Sequence, residues 1–371
     1  MIILILANND IGLYKFRKEL IEELIKDHTV YICLPNGEYI SDLEHIGCRF
    51  IDCKVMQRRG TSPVEDFKLI KFYKQIIGNI KPDIVFTYTI KPNIYGGMAS
   101  AHFDIPYVAN ITGLGSAIEN GGVLRKIVLF LYRYSLRKAQ KVFFQNIENR
   151  DFMLNHHIVK QSYDVIPGSG VNLTNFAAKD YPNDSTVRFA LISRIMKQKG
   201  IEQYIDTAKA IKAEFLNTEF HVCGFCEEEY ENTLQELNKQ GTIIYHGLVR
   251  DIASFLQDIH CVIHPSYYPE GISNVLLEAC ASGRPIITTN HSGCKEVVED
   301  GRNGYIVPQC DSSAIINAVK KFLALSYDEK KNMGLCGRTK VEKEFDRQIV
   351  INKYLDELRE IKNNYNQHFL Y

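Results

Sequence analysis

The sequence of 371 residues contains no Trp, no net charge and no apolar run long enough to cross a bilayer. A spanning helix needs about 20 mostly apolar residues, so the composition excludes a helical membrane span. Lys and Arg together number 44, as do Asp and Glu. That balance argues against a nucleic-acid binder, whose usual footprint is a basic excess. There are ten Cys, but only Cys223 and Cys226 form a C-x-x-C, with no second pair and no His at finger spacing. A metal or redox role is therefore not expected of them. Cys33 and Cys261 sit in strand-like apolar runs and Cys280 in a helix-like one, as buried thiols do in a reducing compartment. His156 and His157 stand together with no further ligand residues near them in sequence, and no metal is expected. Tandem repeats and low-complexity segments are also missing. Met1 to Leu6 are apolar but lack a basic flank and a cleavage site, so they read as a first buried strand of a cytoplasmic protein.

What is present is an alternation of short apolar runs with amphipathic helical stretches. Strands are expected at 2–7, 29–34, 83–88, 107–111 and 141–145, with helices at 14–26, 64–80, 93–102 and 123–139 between them. Residues 174–186 are polar and irregular, with Pro182, Asn183 and Asp184, and read as a linker. The alternation then restarts, with strands at 188–193, 219–224, 243–247, 261–265 and 285–289 and a long last helix at 340–362. Strand–helix order of this kind predicts parallel sheets covered on both faces. The fold class is α/β, with two Rossmann-like domains facing each other across a cleft. The expected domains are 1–175 and 176–349, and the closing helix at about 350–371 is expected to pack back on the first. The first half is slightly basic, 21 Lys/Arg against 17 Asp/Glu in residues 1–175, which suits a partner carrying phosphates or an anionic surface.

Two motifs carry chemistry. The first is Pro269-Glu270-Gly271-Ile272-Ser273-Asn274-Val275-Leu276-Leu277-Glu278-Ala279, which follows a strand and opens a helix. Gly271 lets the backbone approach a ligand closely, and Ser273 is a candidate N-cap. The helix start offers N–H groups and positive dipole to a phosphate. Glu270 and Glu278 bracket the turn and are able to hold sugar and ribose hydroxyls, because each ionised oxygen accepts two hydrogen bonds. Glu278 lies among Leu276, Leu277, Ala279 and Cys280, where an idle charge would be costly. The second motif is Ser193-Arg194-Ile195-Met196-Lys197-Gln198-Lys199-Gly200. It places Arg194 and Lys199 at a strand's carboxyl end, where a diphosphate finds a bidentate partner and a point charge.

This pair of motifs, in this order, resembles the retaining glycosyltransferases of family 4, in the two-domain fold called GT-B. The segments Thr89-Ile90-Lys91-Pro92-Asn93-Ile94-Tyr95-Gly96-Gly97 and Asn110-Ile111-Thr112-Gly113-Leu114-Gly115 narrow it. They resemble bacterial enzymes that build capsule, O-antigen or N-linked glycan on undecaprenyl-diphosphate. The resemblance implies a retaining transfer of a hexose or N-acetylhexosamine, of galactose or N-acetylgalactosamine type, from a UDP-sugar to a lipid-diphosphate-linked saccharide. Arg194 and Lys199 would bind the donor diphosphate, and with Glu270 they form the expected catalytic set. Glu278 would hold the ribose. The backbone of Gly271, Ile272 and Ser273 would meet the sugar or phosphate, and Gly247 and Leu248 lie where the family cradles the base. Gly12, Lys91, Thr112 and Gly113 are expected on the acceptor or cleft side. No cofactor is implied, and no metal: the sequence has no Asp-x-Asp. The family's pattern is not followed everywhere. One Gly, Gly12, replaces a pair after the first strand. The usual G-x-G reads Gly224-Phe225-Cys226, and Lys91 or Thr89 stands near where many members have a His. A nucleotide-sugar epimerase of the same fold, or an inactive scaffold in a polysaccharide assembly complex, are the alternative readings.

A membrane partner is expected from 123–141, which carries Arg125, Lys126, Arg133, Arg137, Lys138 and Lys141, with Val123, Ile127, Phe130, Leu131 and Tyr134 on the other side. Basic and aromatic stripes together describe a helix lying on a membrane surface; a solvated basic face has the same pattern. Arg58 and Arg59 beside Gly60 are further candidates to meet a lipid diphosphate. The expected location is peripheral, at the inner face of the cytoplasmic membrane.

Overall fold

β1 (Ile2–Leu6) is apolar throughout, and its alternate residues feed two cores. Leu4 and Leu6 join one buried cluster, while Ile3 and Ile5 join another. Such a strand is covered on both faces, as parallel strands are. A computed structural model describes residues 1–57, 62–119, 121–160, 162–183 and 185–368. The chain continues through α1 (Asp10–Ile25), β2 (Thr29–Leu34), α2 (Ile40–Ile46), β3 (Arg49–Asp52), α3 (Pro63–Ile80) and β4 (Ile84–Tyr88). A π-helical turn (Pro92–Gly96) leads to α4 (Gly97–His102), β5 (Tyr107–Ile111), α5 (Ser116–Glu119), α6 (Gly122–Leu136), β6 (Lys141–Phe144), α7 (Ile147–Asn155) and β7 (Tyr163–Val165). The seven strands form one parallel sheet in the order β3-β2-β1-β4-β5-β6-β7.

The second sheet repeats the plan. Its elements are β8 (Val187–Ile192), α8 (Ile201–Glu214), β9 (Thr218–Cys223), α9 (Glu231–Lys239), β10 (Ile244–Gly247), α10 (Ile252–Phe255), β11 (Cys261–His264) and α11 (Asn274–Ala281). β12 (Ile286–Thr289), β13 (Gly304–Val307), α12 (Ser312–Ala324), α13 (Tyr327–Glu344) and α14 (Arg347–His368) follow. The order is β10-β9-β8-β11-β12-β13, all parallel. Phe189 and Leu191 enter one core, Ala190 and Ile192 the other. Both sheets are doubly wound, and the strand order reverses between β1 and β4 and between β8 and β11. Ligands of open α/β sheets bind at the carboxyl ends of strands beside such reversals.

The chain divides into two units: Met1–Ser169 with Pro269–Gly271 and Gln348–Tyr371, and Gly170–Tyr268 with Ile272–Arg347. The first division falls at Ser169, before the expected 175, because Val171 is already tied to the second unit. Its N–H donates to the Phe345 carbonyl (2.8 Å) and its carbonyl accepts from the Arg347 N–H (3.1 Å). The same contacts interrupt the helix expected at 340–362, which is two helices, α13 and α14. The first helix also differs: it begins at Asp10, not 14, because the Asn9 side chain caps it by accepting the Gly12 N–H at 2.7 Å.

α14 fills one core of the first unit. Val350, Ile351, Tyr354, Leu358 and Ile361 are buried with Ile3 and Ile5. The Tyr354 ring lies edge-on to Phe86 and Phe143, both at 5.0 Å between centroids, and its hydroxyl accepts a hydrogen bond from the Asn110 amide at 2.8 Å. Tyr354→Ala should cost about 3–5 kcal/mol, and Tyr354→Phe about 1 kcal/mol, read as shifts of the urea midpoint. Wild-type midpoints for both would show that docking of α14 adds nothing to stability.

Candidate active site

The loop after β8 is wedged between its neighbours. The Ser193 N–H donates to the carbonyl of Cys223, the last residue of β9 (3.0 Å), and the Ile195 N–H to the Phe225 carbonyl just beyond it (2.9 Å). Gly224 makes this crossing possible: at φ 147° its missing Cβ would collide with the Ser193 carbonyl oxygen. Residues 197–199 form a single tight turn that ends at Gly200 (φ 79°), where a Cβ would strike the Pro265 carbonyl beyond β11. The Tyr267 N–H donates to the Gln198 carbonyl at 2.9 Å. As a result Arg194 and Lys199 reach the same aromatic ring. The guanidinium carbon and the ammonium nitrogen each lie 4.9 Å from the centroid of Tyr268. Arg194 is also ion-paired with Glu227. Lys199 is only 6% exposed, and a buried ammonium needs compensation, of which the π-face supplies part. Tyr268 and Glu227 escape sequence reasoning, since neither falls at a motif position.

Beside this loop, β10 ends at Gly247 (φ 63°), whose carbonyl accepts the Gly224 N–H at 2.7 Å. Leu248 follows it, 62% exposed. The structure thus brings Gly247 and Leu248 next to the Arg194 loop. On the other side, β11 leads to α11, with Ser273 at the N-cap. Its hydroxyl does not cap the helix; it lies 3.2 Å from His264 Nε2. The Ser273 N–H is also engaged, donating to the Gly293 carbonyl at 2.8 Å. That removes the Ser273 N–H from the three backbone groups, of Gly271, Ile272 and Ser273, expected to face a ligand. Ile272 is buried and Glu278 half-buried, on the helix whose Leu276, Leu277, Ala279 and Cys280 are core.

Glu270 and Gly271 fold with the first unit although they precede α11 directly. The Asn146 amide donates to the carbonyls of Gly271 (2.7 Å) and Glu270 (3.3 Å). Gly113, at φ 148°, lies flat against them: a Cβ there would stand 3.2 Å from Glu270 Cα. A Cβ on Gly271 would stand 2.8 Å from the Thr112 carbonyl oxygen and 2.7 Å from Gln145 Cβ. So Thr112, Gly113, Glu270 and Gly271 are brought together, with Gln145 and Asn146 as partners that the sequence reading missed. An Asn just before a helix start was the available signal. Lys91 has a different partner, Asp66 of α3, at 2.9 Å. Burial and the Asp66 carboxylate hold the Tyr95 hydroxyl above the usual phenol range. Gly12 occupies the first turn of α1.

α6 departs from expectation. Lys141 is not part of it; it starts β6 and pairs with Glu357 at 3.1 Å. Val128, Tyr132, Ser135 and Leu136 face the core. Val123 (74% exposed), Ile127, Phe130 (65% exposed) and Tyr134 face outward, with Lys126 exposed on the same helix and Arg137 exposed at its C-cap. Arg133 donates to the His156 carbonyl (2.7 Å), and Arg125 lies over the Phe152 ring at 5.1 Å, so both tie α6 to α7. Arg58, Arg59 and Gly60 lie outside the described residues. Among the described residues no helix is long and apolar enough to cross a membrane.

Two parallel α/β units, with a cation pair beyond the first strand of the second unit and a glycine-hinged Glu270 loop before α11, match two family models. "Glycosyl transferase 4-like" covers residues 3–146 and "Glycosyl transferases group 1" residues 175–339. The chain belongs to these glycosyltransferases and has the GT-B fold. It is 26% identical over 370 residues to N,N'-diacetylbacillosaminyl-diphospho-undecaprenol alpha-1,3-N-acetylgalactosaminyltransferase of Campylobacter jejuni, covering 94% of this chain and 96% of that one. It is 25% identical to the capsular polysaccharide biosynthesis glycosyltransferase CapM of Staphylococcus aureus, covering 88% of each. The crystal structure of Anabaena HepE in complex with UDP-glucose has the same fold, with a TM-score of 0.78 at 17% identity over 97% of this chain and 99% of that one.

The crossing at Gly224 gives a direct test. Gly224→Ala should lower stability by at least about 2 kcal/mol, because a backbone oxygen occupies the methyl's place. Gly241→Ala, at φ 70° with nothing near the added carbon, should cost only about 1 kcal/mol. Equal urea midpoints for the two variants would show that the loops do not meet at Gly224.

Proposed function

We propose that the chain moves a hexosyl or N-acetylhexosaminyl unit, of galactose or N-acetylgalactosamine type, from a UDP-sugar to a saccharide carried on a lipid diphosphate, with retention and without a metal. The observation that carries this reading is the placement of Arg194 and Lys199 over one ring at the carboxyl end of β8. Breaking the sugar–phosphate bond leaves negative charge on the diphosphate. Fixed cations stabilise that charge as it develops, without reorganising when it forms. Glu227 holds Arg194 until a diphosphate competes for it. The uridine would lie by Gly247 and Leu248, and Glu278 would accept the ribose hydroxyls. Glu270 and the N–H groups of Gly271 and Ile272 would meet the sugar. The acceptor class draws support from the activity of the Campylobacter relative, and the donor class from the UDP-glucose bound to HepE.

A lipid-linked acceptor puts the reaction at a membrane. The outward stripe of Val123, Ile127, Phe130 and Tyr134, with Lys126 and Arg137 close by, supports peripheral attachment to an anionic inner leaflet: the apolar residues enter the headgroup boundary and the cations meet phosphates.

Two measurements test these parts. UDP at a hundred times its dissociation constant should stabilise the protein by about 2.7 kcal/mol in a thermal melt, with EDTA present. Arg194→Ala and Lys199→Ala should each remove most of that shift. A wild-type melt indifferent to UDP would overturn the donor assignment, and a shift abolished by EDTA would overturn metal independence. Separately, the wild type should sediment with phosphatidylglycerol vesicles and Ile127→Glu/Phe130→Glu should not. Equal sedimentation of the two would remove α6 from the membrane contact.

A further inference from the structure

We infer that Asn146 is a positioning residue for the transfer reaction, holding the Glu270–Gly271 backbone so that its N–H groups are aimed at the donor. The inference rests on the assignment of Glu270 and Gly271 to the donor site. Asn146 is 2% exposed and has two tasks. Its Oδ1 accepts the Asn149 N–H at 2.8 Å and so caps α7. Its Nδ2 donates to the carbonyls of Gly271 at 2.7 Å and Glu270 at 3.3 Å. A cap alone requires only an oxygen, and Asp or Ser serves as well. An amide is needed for the second task, because it presents an acceptor and a two-proton donor on one short side chain.

The consequence follows from peptide geometry. In a trans peptide the N–H points opposite to the C=O. With the Glu270 and Gly271 carbonyls turned to Asn146, the N–H groups of Gly271 and Ile272 point the other way, side by side. Two preorganised donors of this kind stabilise charge that appears during bond cleavage. The arrangement is braced from behind. A Cβ on Gly271 would stand 2.7 Å from Gln145 Cβ, so the Gln145 side chain backs the loop. Gln145 Nε2 donates to Asn110 Oδ1 at 3.2 Å, and Asn110 Nδ2 donates to the Tyr354 hydroxyl at 2.8 Å. Gln145, Asn110 and Tyr354 are all buried, so the brace runs from the loop to α14 through groups shielded from water.

Asn146→Asp and Asn146→Ser separate this role from a structural one, because both keep an N-cap and lose the amide donor. In hydrogen–deuterium exchange, peptides across residues 268–274 should exchange about 10-fold faster in both variants while α7 stays protected. Turnover of UDP-N-acetylgalactosamine, followed as UDP release, should fall about 100-fold in kcat, with UDP affinity unchanged because the diphosphate cations stand on β8's loop. Wild-type exchange in the loop would overturn the clamp. Faster loop exchange with wild-type kcat would overturn the positioning role and remove Glu270–Gly271 from the donor site. A wild type that binds no UDP would sink the donor assignment itself, while the exchange data still report on the clamp.

Discussion

Two like charges on one aromatic ring are the constraint around which the second unit is organised. Arg194 and Lys199 are held close to the Tyr268 centroid, although cations repel and one of them is buried. The arrangement survives because the backbone leaves no alternative. The Arg194 loop is pinned to the end of β9 at Gly224 and to the end of β11 at Gly200. Glu227 balances one charge and the π-face part of both. Doubly wound order supplies the place: β8 and β11 are the strands at which the sheet reverses, and the loops that meet at Tyr268 leave those two strands.

The first unit handles its sheet ends differently. Its strands are apolar through the middle, yet Thr87, Asn93, Asn110, Gln145 and Asn146 are all buried at the carboxyl ends of β4, β5 and β6 or directly after them. The first four are linked: the Thr87 hydroxyl donates to Asn93 Oδ1 at 2.7 Å, the Asn93 amide donates to the Asn110 carbonyl at 2.8 Å, and the Gln145 amide donates to Asn110 Oδ1 at 3.2 Å. A buried amide that loses its partner costs far more than the bond itself contributes. Such a network therefore fixes geometry firmly, and here it holds Tyr354 of α14, while the adjacent Asn146 holds the Glu270–Gly271 backbone.

Much of this was legible in the sequence where the determinants are local. Alternating apolar runs set both sheets, and the positions of Arg194, Lys199, Glu270 and Glu278 relative to strands and helices follow from spacing. The rest depends on distant partners. Glu270 and Gly271 precede α11 in the chain, but Asn146, far away in sequence, decides that they fold with the first unit. The helical pattern at 340–362 runs on through Phe345 without a breaker; the interruption comes from the Val171 backbone. Tyr268 is one of 21 Tyr, and only the crossing of two loops singles it out.

α6 shows the same limit in a sharper form. It carries two apolar stripes at helical spacing, Val128-Tyr132-Leu136 and Val123-Ile127-Phe130-Tyr134. Periodicity alone ranks neither above the other, and the second holds the more exposed aromatic surface. The core takes the first because Ser135 lies on that face: its hydroxyl donates to the Asn93 carbonyl at 3.2 Å, joining the same buried network that holds Asn110. A rotation of α6 that buried Phe130 would withdraw Ser135 from that network. The stripe left facing outward is therefore a consequence of the buried polar groups on the opposite face, the same groups that join the ends of β4 and β5 to Tyr354 of α14.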